Sequence, residues 1–305
     1  MKIPGKILVL GTTGQISRAL IELCSDYRVE LVALGRKDID FSFPKMAQLE
    51  LENRFLEQEL VAVINAAAYT QVDQAEKEKD LCFRVNAETP KIIAQFCAKR
   101  DIPFIHYSTD YVFSGEGQKP WTETDGTQPL NVYGWSKLEG ENAIVQVHEK
   151  YLILRTSWVY DAVGKNFLKT MLRLGKEREV LKIVSDQIGA PSYAHHLAKG
   201  TLDLLEKVLD LREFPKGIYH FCNSGETSWY GFAQAIFETG RDLGMHFQVK
   251  QIETILSGDY PTPAIRPKNS RLNTEKISEI LGVQLPHWTE GLRECLQQVK
   301  GLEKG

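Results

Sequence analysis

The sequence predicts an α/β fold, a doubly wound parallel sheet followed by a smaller mixed α/β domain, and three observations predict it. Short, almost wholly apolar runs alternate with helical patterns through residue 108, and a run without polar alternation is what a strand covered on both faces needs. The first run passes directly into Gly11-Thr-Thr-Gly14-Gln-Ile-Ser17, a glycine turn between strand and helix. Beyond residue 217 the pattern changes to short strands, an irregular proline-rich stretch and a terminal helix.

Bulk properties narrow the function. With 305 residues, 43% of them hydrophobic and 25% charged, the chain has room for a sizeable core in one large domain or two. A formal charge of -3 and the absence of a basic tract argue against nucleic acid or a membrane surface as partner. No apolar run is long enough to span a bilayer and no leader is expected, which places the protein in the cytoplasm. Cys24, Cys82, Cys97, Cys222 and Cys295 are scattered without CxxC spacing and read as reduced core thiols.

Taken in order, residues 6–10 (KILVL) form the first strand. Gly11 and Gly14 let the backbone approach a pyrophosphate, which would rest on the amides and positive end of the following helix; the plain alternative is a tight turn. Ser17 stands where a third small residue allows close helix–strand packing. Residues 29–34 (VELVAL) form the second strand and end at Gly35-Arg36. An Arg here can accept a 2′-phosphate, which points to NADPH, with NADH possible because Asp38 and Asp40 lie near enough to serve the adenosine end. Residues 45–60 read as helix and 61–66 as the third strand, closing in Asn65-Ala66-Ala67-Ala68-Tyr69-Thr70. Small residues there leave room for a flat cofactor, or pack strand against helix. A helix over 80–99 and a strand over 103–108 complete four strand–helix units, whose right-handed winding puts the ligand crevice at the strands' carboxyl ends.

The densest chemistry lies in residues 106–137, HYSTDYVFSGEGQKPWTETDGTQPLNVYGWSKL. Tyr133 and Lys137, four apart on a helix, share a face. The ammonium is expected to lower the Tyr133 pKa so that the phenol works as an acid or base near neutral pH, while Thr109 shares the oxygen being protonated. With eleven Tyr, a Tyr-x-x-x-Lys pair arises by chance about once, so its position beside the crevice is what gives it meaning.

Further along, 151–156 (YLILRT) is a strand leading to Trp158, which lines a pocket or covers a core edge. Residues 166–174 are helical, 180–184 a strand, 186–191 a turn and 194–208 a helix. His195 and His196 are adjacent and do not share a helix face, so a metal is not expected. Residues 217–222 read as strand, 229–240 as helix and 246–253 as strand. Three prolines between 261 and 267 exclude a regular helix. The loop carrying Arg266, Lys268, Asn269, Ser270 and Arg271 suits phosphate and sugar hydroxyls, or is a polar loop pinned by proline.

The strings GTTGQ, NAAAYTQVDQAE, RVNAETP, STDYVFSG, PLNVYGWSKLEGE, RTSWVY, GKNF, SDQIGAPSYA and PTPAIRPKNSRL together resemble the dTDP-4-dehydrorhamnose reductases of the extended short-chain dehydrogenase/reductase superfamily, over nearly the whole chain. The resemblance implies a Rossmann-like dinucleotide-binding domain over 1–160 and a substrate-binding domain over 161–305, with elements near 179–208 and 246–255 packing back on the first. It implies hydride transfer from NAD(P)H to C4″ of a dTDP-4-keto-6-deoxyhexose, giving dTDP-L-rhamnose. Tyr133 is then the proton donor, Lys137 its partner and a ligand of the nicotinamide ribose, and Thr109 the holder of the keto oxygen. Gly11, Gly14, Gln15, Ile16, Arg36, Asp40, Phe41 and Ala66, Ala67, Ala68 and Tyr69 would hold the cofactor. Thr70, Val72, Asp110, Trp158, Arg266 and Asn269, with Thr109, would hold the sugar nucleotide. Related 4,6-dehydratases read Thr-Asp-Glu at this strand end, and Tyr111 in place of the Glu argues against dehydration. Some members dimerise around Mg²⁺ held by acidic residues; Ala19 and His195 occupy two of those places, so no metal is assigned, and a monomer or weak homodimer is expected. Two other readings remain: a cofactor-binding regulatory subunit without turnover, like the beta subunit of methionine adenosyltransferase, and a reductase of another nucleotide-linked 4-ketohexose.

Overall fold

The computed structural model describes residues 3, 5–27, 29–56 and 58–302. Its first part runs β1 (Lys6–Leu10), α1 (Gln15–Leu23), β2 (Glu30–Leu34), α2 (Pro44–Arg54), β3 (Leu60–Asn65), α3 (Val72–Ala75), α4 (Lys79–Phe83), α5 (Thr89–Lys99), β4 (Phe104–Thr109), α6 (Val132–Val147) and β5 (Tyr151–Thr156). There follow β6 (Val159–Tyr160), α7 (Phe167–Glu177), β7 (Val180–Val184), β8 (Ile188–Gly189), β9 (Ser192–Tyr193), α8 (Ala194–Leu209) and β10 (Gly217–His220). The last elements are β11 (Thr227–Ser228), α9 (Trp229–Asp242), β12 (Gln251–Ile255), β13 (Asn269–Ser270), α10 (Glu275–Leu281) and α11 (Trp288–Leu302).

Six parallel strands form the central sheet in the order β10-β5-β4-β3-β1-β2. The order reverses at β1, from which the chain winds outward first to β2 and then the other way, as the doubly wound reading expects. The apolar run of β1 has a plain cause. Ile7 and Val9 enter one core with α1 and α8, while Leu8 and Leu10 enter another with α2, α5 and α6. Each of these side chains contributes about 1.5–3 kcal/mol by leaving water.

Several boundaries shift. The helix expected over 45–60 stops at Arg54, because the chain must turn before β3. The 80–99 helix is interrupted by a π-turn, Arg84–Glu88, and a strand expected over 246–253 lies at Gln251–Ile255. The 186–191 turn contains β8, which joins β11 and β13 in a small three-stranded sheet. Of the elements expected to fold back, α8 packs on α1, whereas β7 and β12 pair with each other and lie against α9. β10 also returns, pairing with β5 at the edge of the central sheet. A third core, around Tyr160, Leu168, Phe232 and Trp288, holds the second half together. No helix among the described residues is long and apolar enough to cross a membrane.

Candidate active site

The strand ends supply the floor. Gly11 has φ +97°, and a Cβ on it would stand 3.1 Å from the Ala67 nitrogen, so only glycine lets the ends of β1 and β3 meet this closely. Gly14 is the N-cap of α1 and gives that helix no side-chain cap. Its first amides are therefore left for an anion, the donor set a pyrophosphate requires. Ser17 fits the tight position by donating to Gly14 O at 3.0 Å. Gln15 reaches across the molecule, donating to Val159 O at 3.2 Å and accepting from Asn166 at 2.7 Å. Ile16 packs against the first core.

The loop after β3 is pinned by Asn86, within the RVNAETP stretch. Asn86, on the π-turn, accepts from the Tyr69 backbone N–H at 2.8 Å and donates to Tyr69 O at 3.0 Å. The same carboxamide lies 3.0 Å from Ser136 Oγ, joining the Ala66, Ala67, Ala68 and Tyr69 loop to α6. Thr70 is exposed and Val72 begins α3. Arg36 stands exposed beyond β2, with its Nε 3.8 Å from Asp40. Hydrogen bonds from Ser42 hold the Asp40 carboxyl below the usual carboxylate range. Phe41 is buried, and its carbonyl accepts from Thr89 at 2.8 Å.

β4 and α6 carry the candidate reactive groups. Thr109 ends β4, donates to Asp110 Oδ1 at 3.1 Å and accepts from the Tyr111 N–H at 3.2 Å. Asn131 caps α6, accepting from the Gly134 N–H at 2.8 Å while donating to Ile265 O at 2.8 Å. Glu76 accepts from the Val132 N–H at 2.8 Å. Two side chains thus fix the turn that carries Tyr133. Its ring meets Tyr111 edge-on, centroids 5.5 Å apart.

The electrostatics correct one expectation. Burial pushes the Tyr133 phenol up; Thr109 opposes that, and Lys137 is not among the causes. Instead Lys137 Nζ bonds to His106 Nε2 at 3.0 Å and donates to Tyr107 O at 2.6 Å. Burial pulls Lys137 down to about 8, against the opposing effect of Glu141. Glu141 is itself held by a buried Arg155 at 2.6 Å. Burial also raises Asp110 to about 6, partly offset by Ser270 and Thr109. Among the described residues, its Oδ2 and the Ser108 hydroxyl are buried without a well-formed hydrogen bond.

The second half closes the site. Trp158 adopts φ +48°, a strained conformation for a bulky residue, and stacks on Trp229 with centroids 3.6 Å apart. Arg266 grips Asp73 with two contacts, of 3.1 and 2.7 Å. Asn269 is buried, donating to the carbonyls of Lys119 at 2.8 Å and Glu116 at 3.3 Å, and so braces the loop after β4. His195 faces Glu22 and Asp161 while His196 faces Glu294 and Asn223, on separate sides as expected. Among the described residues no group of three or more metal-ligating side chains converges.

A family model described as the RmlD substrate binding domain matches residues 5–300. The chain belongs to this family. It is 41% identical to a dTDP-4-dehydrorhamnose reductase of Escherichia coli (strain K12) over 96% of this chain and 97% of that protein. The fold is close to a dTDP-4-dehydrorhamnose reductase of Clostridium acetobutylicum, with TM-score 0.88 and 35% identity, covering 97% of this chain and 99% of that one. It is also similar to the Bacillus anthracis reductase solved in complex with NADP, with TM-score 0.87, 32% identity, and 96% and 99% covered. Within the family frame, the residues missed from sequence are Asn65, Asn86, His106 and Asp73. Asn65 and His106 did leave a signal: each is a polar residue inside an otherwise apolar strand, which has to be satisfied by a partner.

Proposed function

We propose that the protein is an NADPH-dependent dTDP-4-dehydrorhamnose reductase, reducing the C4 keto group of dTDP-4-dehydro-L-rhamnose to dTDP-L-rhamnose. The observation that carries this reading is the side-chain contact of Thr109 with Tyr133 at the end of β4, in a chain of this family whose β1 runs through a glycine turn into α1. The uncapped α1 terminus, the Gly11–Ala67 approach and Arg36 fit the pyrophosphate and 2′-phosphate of the dinucleotide. Residues 1–160 then serve mainly the cofactor and 161–305 mainly the sugar nucleotide, with α8 and β10 completing the first unit.

When bound, the dihydronicotinamide supplies the hydride. The protein's own groups manage the oxygen. Thr109 donates to the ketone and orients it, and the half-buried Tyr133, which keeps its proton at neutral pH, gives that proton to the oxygen as negative charge develops. Trp158, on its stacked platform, walls the sugar side, and Asp110 faces the sugar hydroxyls beside Thr109.

The test is loss of absorbance at 340 nm with dTDP-4-keto-6-deoxyglucose, with and without added 3,5-epimerase, for NADPH and then NADH. Oxidation that depends on the epimerase is the expected result. Tight NADPH binding without oxidation would instead indicate a regulatory subunit or another sugar.

A further inference from the structure

Beneath Tyr133 a line of polar groups crosses from β3 to α6: Asn65, His106 and Lys137, with the Tyr107 carbonyl beside them. Protonation along this line follows from one fixed donor. The Ala67 backbone N–H donates to Asn65 Oδ1 at 3.1 Å, so the carboxamide must present its NH₂ to His106, with Nδ2 3.1 Å from Nδ1. An NH₂ group only donates, which makes Nδ1 the unprotonated ring nitrogen. His106 is neutral, because burial holds it well below the usual histidine value. Its single proton therefore sits on Nε2 and points at Lys137 Nζ, 3.0 Å away. An ammonium has no lone pair to receive it, whereas a neutral amine has one and still has a hydrogen for Tyr107 O.

We propose that His106 is a positioning residue: it donates Nε2–H to the uncharged amine of Lys137 and holds that amine on β4 rather than on Tyr133, until a ligand hydroxyl competes for it. The other groups facing the amine are Glu141, one turn further along α6, and Cys82 from α4, both of which favour its charged form. Burial outweighs them and brings the amine's titration into the ordinary pH range. Release from His106 then goes with proton uptake by the uncharged fraction of the amine, so the positive charge beside Tyr133 increases when a ligand is present. The consequence for turnover rests on the reductase reading; the proton assignment does not.

Nitrogen-15 NMR of the full chain without ligand tests it. His106 is expected as the Nε2–H tautomer, and observation of Nδ1–H would overturn the proposal without any variant. Titration of the Lys137 Nζ resonance supplies the second arm. In His106→Phe, which cannot donate, the midpoint should rise by about half a pH unit to one, the size of one ordinary hydrogen bond. In His106→Gln, whose amide can replace Nε2–H, it should stay near the parent value. An unmoved or lowered midpoint in His106→Phe would also overturn the idea. The pH profile of kcat should move with the same variant. If tautomer and midpoint behave as expected while the dTDP-sugar is not reduced, the proposed reaction has failed and the assignment stands.

Discussion

Asp110 loses hydration at the end of β4 without gaining a cation, and burial raises it from 3.8 to about 6. The folded chain then holds a proton that the unfolded chain releases. This contribution to stability is full below the unfolded value and is lost as pH rises through about 6. Asp110→Asn should therefore melt higher than the parent near pH 8, by on the order of 2–3 kcal/mol, with the gap closing near pH 4 in parallel thermal melts. Tyr133→Phe removes a proton donor and leaves the ring. Turnover should fall by about 10²–10⁴-fold with NADPH affinity nearly kept, and unchanged turnover would remove Tyr133 from the mechanism. Arg36 is exposed and, among the described residues, engages Asp40 weakly at 3.8 Å, so it can turn to a phosphate. Arg36→Ala should weaken NADPH by about tenfold while leaving NADH near the parent value, measured by fluorescence titration.

At the scale of elements, α6 matters because of where it is pressed. Gly140 lies against the π-turn, and a Cβ there would collide with the backbone oxygen of Asn86. Alanine usually stabilises a helix interior by about 0.5–1 kcal/mol over glycine. Here the collision should reverse the sign, costing about 1–3 kcal/mol, since backbone cannot step aside as a side chain can. Gly126→Ala, with nothing within 4 Å of its new methyl, is the matching control and should change little. Chemical denaturation of both variants would decide it. The π-turn also shows why Asn86 can serve two masters: the extra residue in the turn brings its carboxamide to both Tyr69 and Ser136.

Across the whole molecule, a few contacts join the turn that would hold the cofactor to the half that would hold the sugar. Gln15 meets Val159 O and Asn166, Arg18 donates to Val163 O at 2.8 Å, and Asp73 holds Arg266. The Asp73–Arg266 pair is partly exposed, so its net worth is about 1 kcal/mol or less. Its value lies in placement: it fixes the 264–266 segment, whose Ile265 carbonyl meets the cap of α6. Asp73→Asn should leave the melting temperature nearly unchanged and raise the sugar-nucleotide KM several-fold. A large stability loss with an unchanged KM would refute that role.

The sequence by itself determined the parallel sheet, the glycine turn and the place of Tyr133 on a helix beside the end of β4. Each follows from local rules: an apolar run needs cover on both faces, a positive-φ turn needs glycine, and residues four apart share a helix face. Only the tertiary structure decided what surrounds those groups. Lys137 is four residues from Tyr133, yet its amine turns to His106 and Tyr107, because a buried amine is directed by the nearest hydrogen-bonding groups across the fold rather than by its own helix. The loop residues divide in the same way. Asn269 spends its donors on the carbonyls of Glu116 and Lys119, and Arg266 spends its fork on Asp73, partners about 150 and 190 positions away that no spacing in the chain could reveal.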